Sequence, residues 1–323
     1  MGCNVSSMYT LSAVGETAGK IISNISRVIY GKDKEIRYIV TALLAGGHVL
    51  LDDIPGTGKT SLARALAKSI NAGCRRIQFT PDLLPSDITG INYFNQKENE
   101  FVFRPGPIFT NIVIADEINR TTPRTQSALL ECMGEYQATI DGVTYPLERP
   151  FFVIATQNPI ESQGTFPLPE AQTDRFLMKL SLGYPPRKSE LEILDGYIET
   201  SPLDTLAAVC EKDDVRKCID AVRSVKVSAL IKEYIVNIVT ATRENERIRL
   251  GVSPRGTLAL MRASQAWAAT EGRDYVLPDD VKAVAIPVLS HRIISRSQGT
   301  IRLTESNANI IQYIIDTTSV PVA

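Results

Sequence analysis

A glycine-rich loop between an apolar run and a helical stretch constrains this 323-residue chain more than any other feature. The loop, residues 53–60, reads Asp-Ile-Pro-Gly-Thr-Gly-Lys-Thr, follows the apolar run 48–51 and precedes Leu62, Leu66 and Ile70 at helical spacing. Glycines let backbone N–H groups turn toward phosphate oxygens, and a helix N-terminus adds a positive dipole. The pattern is that of a Walker A loop, although a strict match has glycine where Asp53 stands. A chance turn before a helix is the alternative, which the order of strand, loop and helix disfavours.

The loop predicts the residues that hold a nucleotide. Lys59 is expected to reach the β- and γ-phosphates, and the hydroxyl of Thr60 is expected to bind Mg²⁺. The predicted phosphate-binding residues are Pro55, Gly56, Thr57, Gly58, Lys59, Thr60 and Ser61.

A second apolar run, residues 112–115, ends in the carboxylates Asp116 and Glu117. This is a Walker B pattern, in which Asp116 would hold the Mg²⁺ shell and Glu117 would polarise the attacking water. Acidic residues that merely end a strand at the surface are the alternative. The Walker A loop upstream disfavours it, because both strand ends then point at one crevice.

A third apolar run, residues 151–155, is followed by Asn158. Asn158 is a candidate to orient the same water or to sense the γ-phosphate, and a simple Asn-Pro turn competes with that interpretation. The chain has no Asn-Lys-x-Asp motif for reading guanine, so ATP is favoured over GTP. Continuous apolar runs are typical of parallel strands covered by helices on both faces, which predicts an α/β fold.

The pattern of the chain predicts three segments. Residues 1–20 are small and polar and suggest a loose extension, residues 21–184 alternate strands and helices, and residues 185–323 are predicted to be helical. The boundary is placed near Pro185-Pro186. In the last segment, Ser253-Pro254 and Leu277-Pro278 are typical helix starts. An amphipathic stripe there is formed by Leu230, Ile231, Tyr234, Ile235 and Ile238.

Composition narrows the functional classes. Lys and Arg total 35 against 36 for Asp and Glu, and this balance argues against a protein that coats nucleic acid. Five cysteines without a CxxC pair and two histidines disfavour a zinc site and favour reduced thiols. No apolar run spans a bilayer and no signal peptide is evident, so we expect a cytoplasmic protein. Residues 1–6 nevertheless fit the N-myristoylation pattern, with Gly2 and Cys3 as acceptors.

Longer motifs resemble the MoxR family of AAA+ ATPases, of the helix-2-insert clade. They are Arg104–Phe109, Ala115–Arg120, Gln126–Glu131, Ala155–Pro159, Leu168–Phe176, Ser253–Arg255 and Gly272–Val281. The resemblance covers about residues 25–290, and the family often has an acidic residue where Asp53 stands. It implies an AAA+ αβα core with a parallel sheet, followed by an all-helical lid.

The resemblance also implies rings, usually hexamers, with ATP bound between subunits. Arg175 aligns with the arginine finger that reaches a neighbour's ATP, Arg255 with the sensor 2 arginine, and Asn158 with sensor 1. Surface or capping roles are the alternatives for the two arginines. The residues aligned with adenine contacts are Val28, Ile29 and Gly31.

The resemblance also implies two hairpins in the core and a role in the remodelling of other proteins. Residues 90–103 would be the helix-2 insert facing the ring pore, and Asp141-Gly142 is a good turn for a second hairpin. Similar proteins remodel, assemble or activate partner complexes, including metal insertion, often with a protein that carries a von Willebrand factor A domain. A nucleic-acid motor and a nucleotide-switched scaffold are the alternatives. The near-neutral charge argues against the motor, and the intact hydrolytic residues argue against the scaffold.

Overall fold

A computed structural model describes residues 9–158, 164–198, 200–296 and 306–321. The helices are α1 (Leu11–Ser26), α2 (Asp33–Leu44), α3 (Lys59–Ser69), α4 (Pro85–Thr89), α5 (Pro123–Glu135), α6 (Glu170–Thr173), α7 (Arg187–Gly196), α8 (Lys212–Val222), α9 (Ala229–Glu244), α10 (Pro254–Thr270), α11 (Pro278–Leu289) and α12 (Asn307–Thr317). The strands are β1 (Val49–Asp52), β2 (Cys74–Gln78), β3 (Gly90–Asn95), β4 (Glu100–Pro105), β5 (Ile112–Asp116), β6 (Gln137–Ile140), β7 (Val143–Pro146), β8 (Phe152–Gln157), β9 (Met178–Leu180), β10 (Ile248–Leu250) and β11 (Ile294–Ser295). Short 3₁₀ helices span Ile118–Arg120 and Ser290–Arg292.

Five parallel strands form the central sheet in the order β2-β5-β8-β1-β9. The three apolar runs predicted as buried strands are β1, β5 and β8, which confirms that prediction. In this order β8 lies between β5 and β1, so the carboxyl ends of all three open at one edge of the sheet. The residues that follow them are thereby brought to a common crevice.

Alternating side chains of the sheet enter two apolar clusters, one on each face. Val49 and Leu51 pack with helices α1, α2 and α3, whereas Leu50 between them packs with Leu129 of α5 and with Phe176. Covering both faces explains why the strand residues are continuously apolar. The first cluster continues into α9, α10 and α11, so the lid packs on the core through shared apolar side chains.

The N-terminal segment differs from the prediction, because residues 11–20 belong to helix α1 and are not part of a loose extension. Val14, Ala18 and Ile21 are fully buried at helical spacing, and small polar residues between them obscured this apolar face. Gly15 lets α1 approach closely, because a Cβ there would lie 2.8 Å from the backbone nitrogen of Gly272. The N-myristoylation pattern at residues 1–6 lies outside the described residues.

The lid is mostly helical, and Pro254 and Pro278 begin α10 and α11 as predicted. Most of the predicted apolar stripe on α9 is buried, but Leu230 is 43% exposed because it lies in the first turn, beside the buried face. The lid also contains a small antiparallel pair, β10 with β11. Among the described residues, no helix has both the length and the apolar character needed to cross a membrane.

Two hairpins project from the core. β3 and β4 pair antiparallel from Gly90 to Pro105, which confirms a hairpin at the predicted insert. β6 and β7 are joined by Asp141 and Gly142, both with positive φ, as a two-residue type I′ turn requires. That the first hairpin faces a ring pore stays a prediction, as does the division of the chain near Pro185.

Candidate active site

A pocket of about 270 Å³ opens at the carboxyl edge of the sheet, between the loop after β1 and the ends of β5 and β8. Its lining residues are Pro55, Gly56, Gly58, Lys59, Thr60, Ser61, Arg76, Gln78, Asp116, Glu117, Thr156, Gln157 and Asn158. Gly56 and Gly58 both have φ of +85°, a left-handed backbone that glycine adopts without a steric penalty. Of the predicted loop residues, Thr57 is absent from the lining, and its hydroxyl points back to the carbonyl of Ile54 at 3.4 Å.

Asp53 connects the loop to the segment that follows β9, the strand next to β1 in the sheet. Its side chain is buried, and its carboxylate accepts N–H donation from Ile54 (3.0 Å), Leu182 (2.8 Å) and Gly183 (2.9 Å). The acidic residue at the position where glycine was expected therefore ties the phosphate loop to the segment after β9. This contact accounts for the departure from the strict loop pattern.

Lys59 stands at the first position of α3 and lines the pocket. Its Nζ donates to the backbone carbonyls of Asp53 (3.0 Å) and Ile54 (2.8 Å). If Lys59 binds phosphate as predicted, its ammonium would exchange these two carbonyl acceptors for phosphate oxygens by rotation of its flexible stem.

Asp116 ends β5 and has both oxygens engaged. Thr156 donates its hydroxyl to Oδ1 (2.6 Å), and Arg76 donates to Oδ2 from Nε (3.0 Å) and Nη2 (2.6 Å). Thr60 lines the same pocket. Hydroxyl and carboxylate oxygens are the ligands that Mg²⁺ takes in phosphate-binding sites, so this pair fits the predicted metal.

Glu117 follows directly and has φ of +57°, a left-handed conformation that is uncommon for residues other than glycine. The hydroxyl of Thr156 accepts its N–H at 2.9 Å. Its carboxylate Oε2 accepts from Gln78 Nε2 (2.9 Å) and from Arg120 Nη1 (3.0 Å). Asn158, at the end of β8, faces the same pocket and is mostly buried.

Four residues of this site were missed by sequence reasoning: Arg76, Gln78, Thr156 and Arg120. Arg76 and Gln78 lie on β2, where Gln78 is opposite Asp116 in the register. The available signal was the alternation Arg-Ile-Gln, in which two long polar side chains flank a buried isoleucine on a strand. Only the pairing of β2 with β5 shows that those side chains face the acidic pair.

The segment predicted to contact adenine lies beside the phosphate loop. Val28 and Ile29 are buried, and Ile29 Cδ1 lies 3.9 Å from the position a Cβ of Gly58 would take. Gly31 has φ of +67°, and a Cβ there would lie 2.3 Å from the Ser189 hydroxyl of α7. Adenine contact by these residues stays a prediction.

Arg175 and Arg255 line a different pocket, of about 310 Å³, together with Gly134 and Arg262. Neither arginine is among the residues that line the pocket of the phosphate loop. Arg175 donates to the carbonyl of Leu130 near the end of α5. The structure thus places the two predicted arginines together and away from the loop of their own chain.

Asp174 explains why these arginines meet. Its carboxylate accepts from the buried Arg292 Nε (2.6 Å) and from the Ser253 hydroxyl (3.3 Å), both on the lid. Arg175 follows Asp174, and Arg255 follows Ser253 by two residues. This contact between core and lid therefore brings the two arginines into the lining of one pocket.

Comparison with known proteins agrees with the fold. Residues 48–178 match the ATPase family associated with various cellular activities (AAA), and residues 240–313 match the AAA lid domain. The crystal structure of a candidate ATPase from Cytophaga hutchinsonii superposes with a TM-score of 0.89 and 38% identity, over 99% of this chain and 100% of that one. Fold and site together define an AAA-type ATPase with a lid domain.

Named relatives narrow the class. The chain is 39% identical over 293 residues to the chaperone MoxR1 of Mycobacterium tuberculosis, covering 88% of this chain and 77% of that one. It is 32% identical over 292 residues to protein MoxR of Paracoccus denitrificans, covering 82% and 85%. It is also 52% identical over 304 residues to the Bacillus subtilis protein YeaC, covering 94% and 95%. The chain belongs to the MoxR family of AAA+ ATPases.

Proposed function

We propose that this protein is a Mg²⁺-dependent ATPase that works as a ring, expected to be hexameric, and remodels, assembles or activates partner protein complexes. The observation that carries the proposal is the separation of the hydrolytic residues into two pockets. Lys59, Asp116 and Glu117 line one pocket, and Arg175 and Arg255 line the other. A complete site therefore needs two copies of the chain.

In the first pocket, each predicted residue has a chemical task in the conversion of ATP to ADP and phosphate. Thr60 and Asp116 would hold Mg²⁺, which offsets phosphate charge when bound. Lys59 would bind the β- and γ-phosphates, Glu117 would accept the proton of the attacking water, and Asn158 would orient that water. Backbone N–H groups of residues 56–61 would hold the phosphate oxygens at the start of α3.

From the second pocket, Arg175 would reach the γ-phosphate bound by a neighbouring copy, and Arg255 would act on the same nucleotide. A guanidinium contributed in this way offsets charge that develops during transfer and is worth about a thousandfold or more in rate. The exposure of both arginines supports this assignment, because a neighbouring chain can reach them.

The cellular part of the proposal rests on the family. A chaperone name among the relatives supports remodelling of protein clients. We propose that the protein is cytoplasmic and that it acts with a partner that carries a von Willebrand factor A domain. Metal insertion into a partner complex is one form that the remodelling activity would take. The net charge of -1 supports protein clients over nucleic acid.

Mixing two inactive variants tests the proposal. Arg175→Ala and Lys59→Ala should each lose turnover, and their mixture should regain part of it, since an intact Arg175 on one copy then faces an intact loop on another. The control mixes Lys59→Ala with the double variant Lys59→Ala/Arg175→Ala, which offers no intact loop and should stay inactive. If the first mixture stays inactive although fluorescence energy transfer shows mixed assemblies, or if a proven monomer is fully active, action between subunits is refuted.

A further inference from the structure

The guanidinium of Arg76 occupies an oxygen of Asp116, the residue predicted to bind the metal. Both Nε (3.0 Å) and Nη2 (2.6 Å) donate to the same atom, Asp116 Oδ2, while Oδ1 accepts from Thr156. Asp116 is only 14% exposed in its side chain, and Arg76 is 47% exposed. The carboxylate therefore accepts from Thr156, which is buried, and is neutralised by Arg76, which is the more exposed of the two partners.

Arg76 belongs to β2, a strand at the edge of the sheet. In the register of β2 with β5, Arg76 is opposite Ile114 and Gln78 is opposite Asp116. Arg76 Nη2 also donates to Gln78 Oε1 (2.6 Å), and Gln78 Nε2 donates to Glu117 Oε2 (2.9 Å). One chain of hydrogen bonds therefore runs from Asp116 through Arg76 and Gln78 to Glu117.

We propose that Arg76 is an intrinsic competitor of Mg²⁺ for Asp116, and that binding of Mg²⁺ with nucleotide requires Arg76 to release Oδ2. The inference rests on the proposed function, in which Asp116 is a metal ligand. Mg²⁺ binds oxygens at about 2.0–2.1 Å in near-octahedral geometry. An oxygen that already accepts two N–H groups from a cation cannot also take such an ion, and the two positive charges repel each other at this separation.

The release gives Arg76 a second role. Its side chain lines the pocket of the phosphate loop, so a guanidinium that leaves Asp116 stays within the same pocket as Lys59. The released guanidinium also loses its hydrogen bond to Gln78 Oε1, which is one of the contacts that orient the Gln78 amide toward Glu117. Metal binding at Asp116 is in this way linked to the position of the proposed base.

Equilibrium binding of a fluorescent ADP analogue tests the inference without relying on turnover. Dissociation constants are measured with Mg²⁺ and with a chelator for the wild-type chain, Arg76→Ala and Arg76→Gln. The ratio of the chelator value to the Mg²⁺ value reports how strongly Mg²⁺ supports binding. Removing the competing guanidinium should raise this ratio about two- to fivefold in Arg76→Ala, as expected for a partly exposed ion pair, and by a similar factor in Arg76→Gln.

The matched control is Arg75→Ala, on the neighbouring position of the same strand. Arg75 is also exposed and carries the same charge, but successive strand side chains point to opposite faces, so it should leave the ratio unchanged. Circular dichroism confirms that each variant is folded. An unchanged or lowered ratio in both Arg76 variants, with ADP still bound, overturns the role of Arg76 and leaves the proposed function standing. A wild-type chain that binds no ADP under either condition overturns the proposed function, and this inference with it.

Discussion

His48 should make the core sensitive to acid. The residue lies directly before β1, is 3% exposed, and connects three parts of the core. The Val153 N–H donates to Nδ1 (3.1 Å), so Nδ1 carries no proton, and Nε2–H donates to the carbonyl of Met133 (3.1 Å). Both nitrogens are thus used by the neutral ring. Burial lowers the pKa of His48 from 6.5 to about 4, and the Met133 carbonyl opposes this only in part.

The sign and size of the effect follow from the two pKa values. Between pH 6.5 and pH 4 the unfolded chain binds a proton at His48 and the folded chain does not, so stability falls as the pH is lowered through this window. With an ordinary pKa of about 6.5 when unfolded, the loss is about 2 kcal/mol at pH 5 and about 3 kcal/mol below pH 4. At pH 7 the contribution is close to zero.

Urea denaturation of the wild-type chain and of His48→Gln, at pH 7, 6, 5.5 and 5, measures this contribution. Glutamine supplies one acceptor and one donor without titrating, so groups common to both chains, including His291, cancel in the difference. The free-energy advantage of the wild-type chain over the variant should shrink by about 2 kcal/mol from pH 7 to pH 5. A difference that stays constant over this range would refute the assigned pKa.

Three substitutions test the nucleotide site itself. Glu117→Gln should bind ATP yet release phosphate about a hundredfold to ten-thousandfold more slowly, because the general base is lost; near-normal turnover would remove Glu117 from that role. Lys59→Ala should lose most affinity for ATP while staying folded, and unchanged affinity by calorimetry would contradict the assignment. Asp53→Asn should lower the free energy of unfolding by about 1–3 kcal/mol, because an amide offers one acceptor oxygen where Asp53 uses two; denaturation with Asp33→Asn as an exposed control measures this, and equal stability of both would be the contrary result.

The parts of the site that sequence alone predicted are those encoded by neighbouring residues. The phosphate loop, Asp116 with Glu117, and Asn158 each follow an apolar run, and an apolar run that ends in polar residues marks the carboxyl edge of a parallel sheet. The Asp141-Gly142 turn could be predicted for the same reason, since its two residues determine the turn type.

The parts that it missed depend on contacts between distant segments. Arg76 meets Asp116 only through the register of β2 with β5. Arg175 and Arg255 line one pocket because the lid packs on the core, where Asp174 also binds Arg292 and Ser253. Helix α1 was missed for a different reason, since its apolar residues are few and separated by small polar ones.

Helix α5 relates the two pockets within one chain. It begins at Pro123, just after the 3₁₀ turn that follows Glu117, and its length of 13 residues corresponds to about 20 Å. Gln126, fully buried, donates to the carbonyls of Ile118 (3.1 Å) and Phe166 (2.9 Å) and so holds that turn against the helix.

The far end of the same helix positions Arg175. The carbonyl of Leu130 accepts from the guanidinium, and Gly134 leaves room for it, since a Cβ there would lie 3.1 Å from Nη1. A cation at a helix C-terminus is also favoured by the dipole. One helix therefore supports the proposed base at one end and, at the other end, the arginine that we propose acts on a neighbour's nucleotide. In the proposed ring, a displacement of α5 at its Glu117 end would change the position of Arg175 at the adjacent site, and α5 would then connect successive nucleotides.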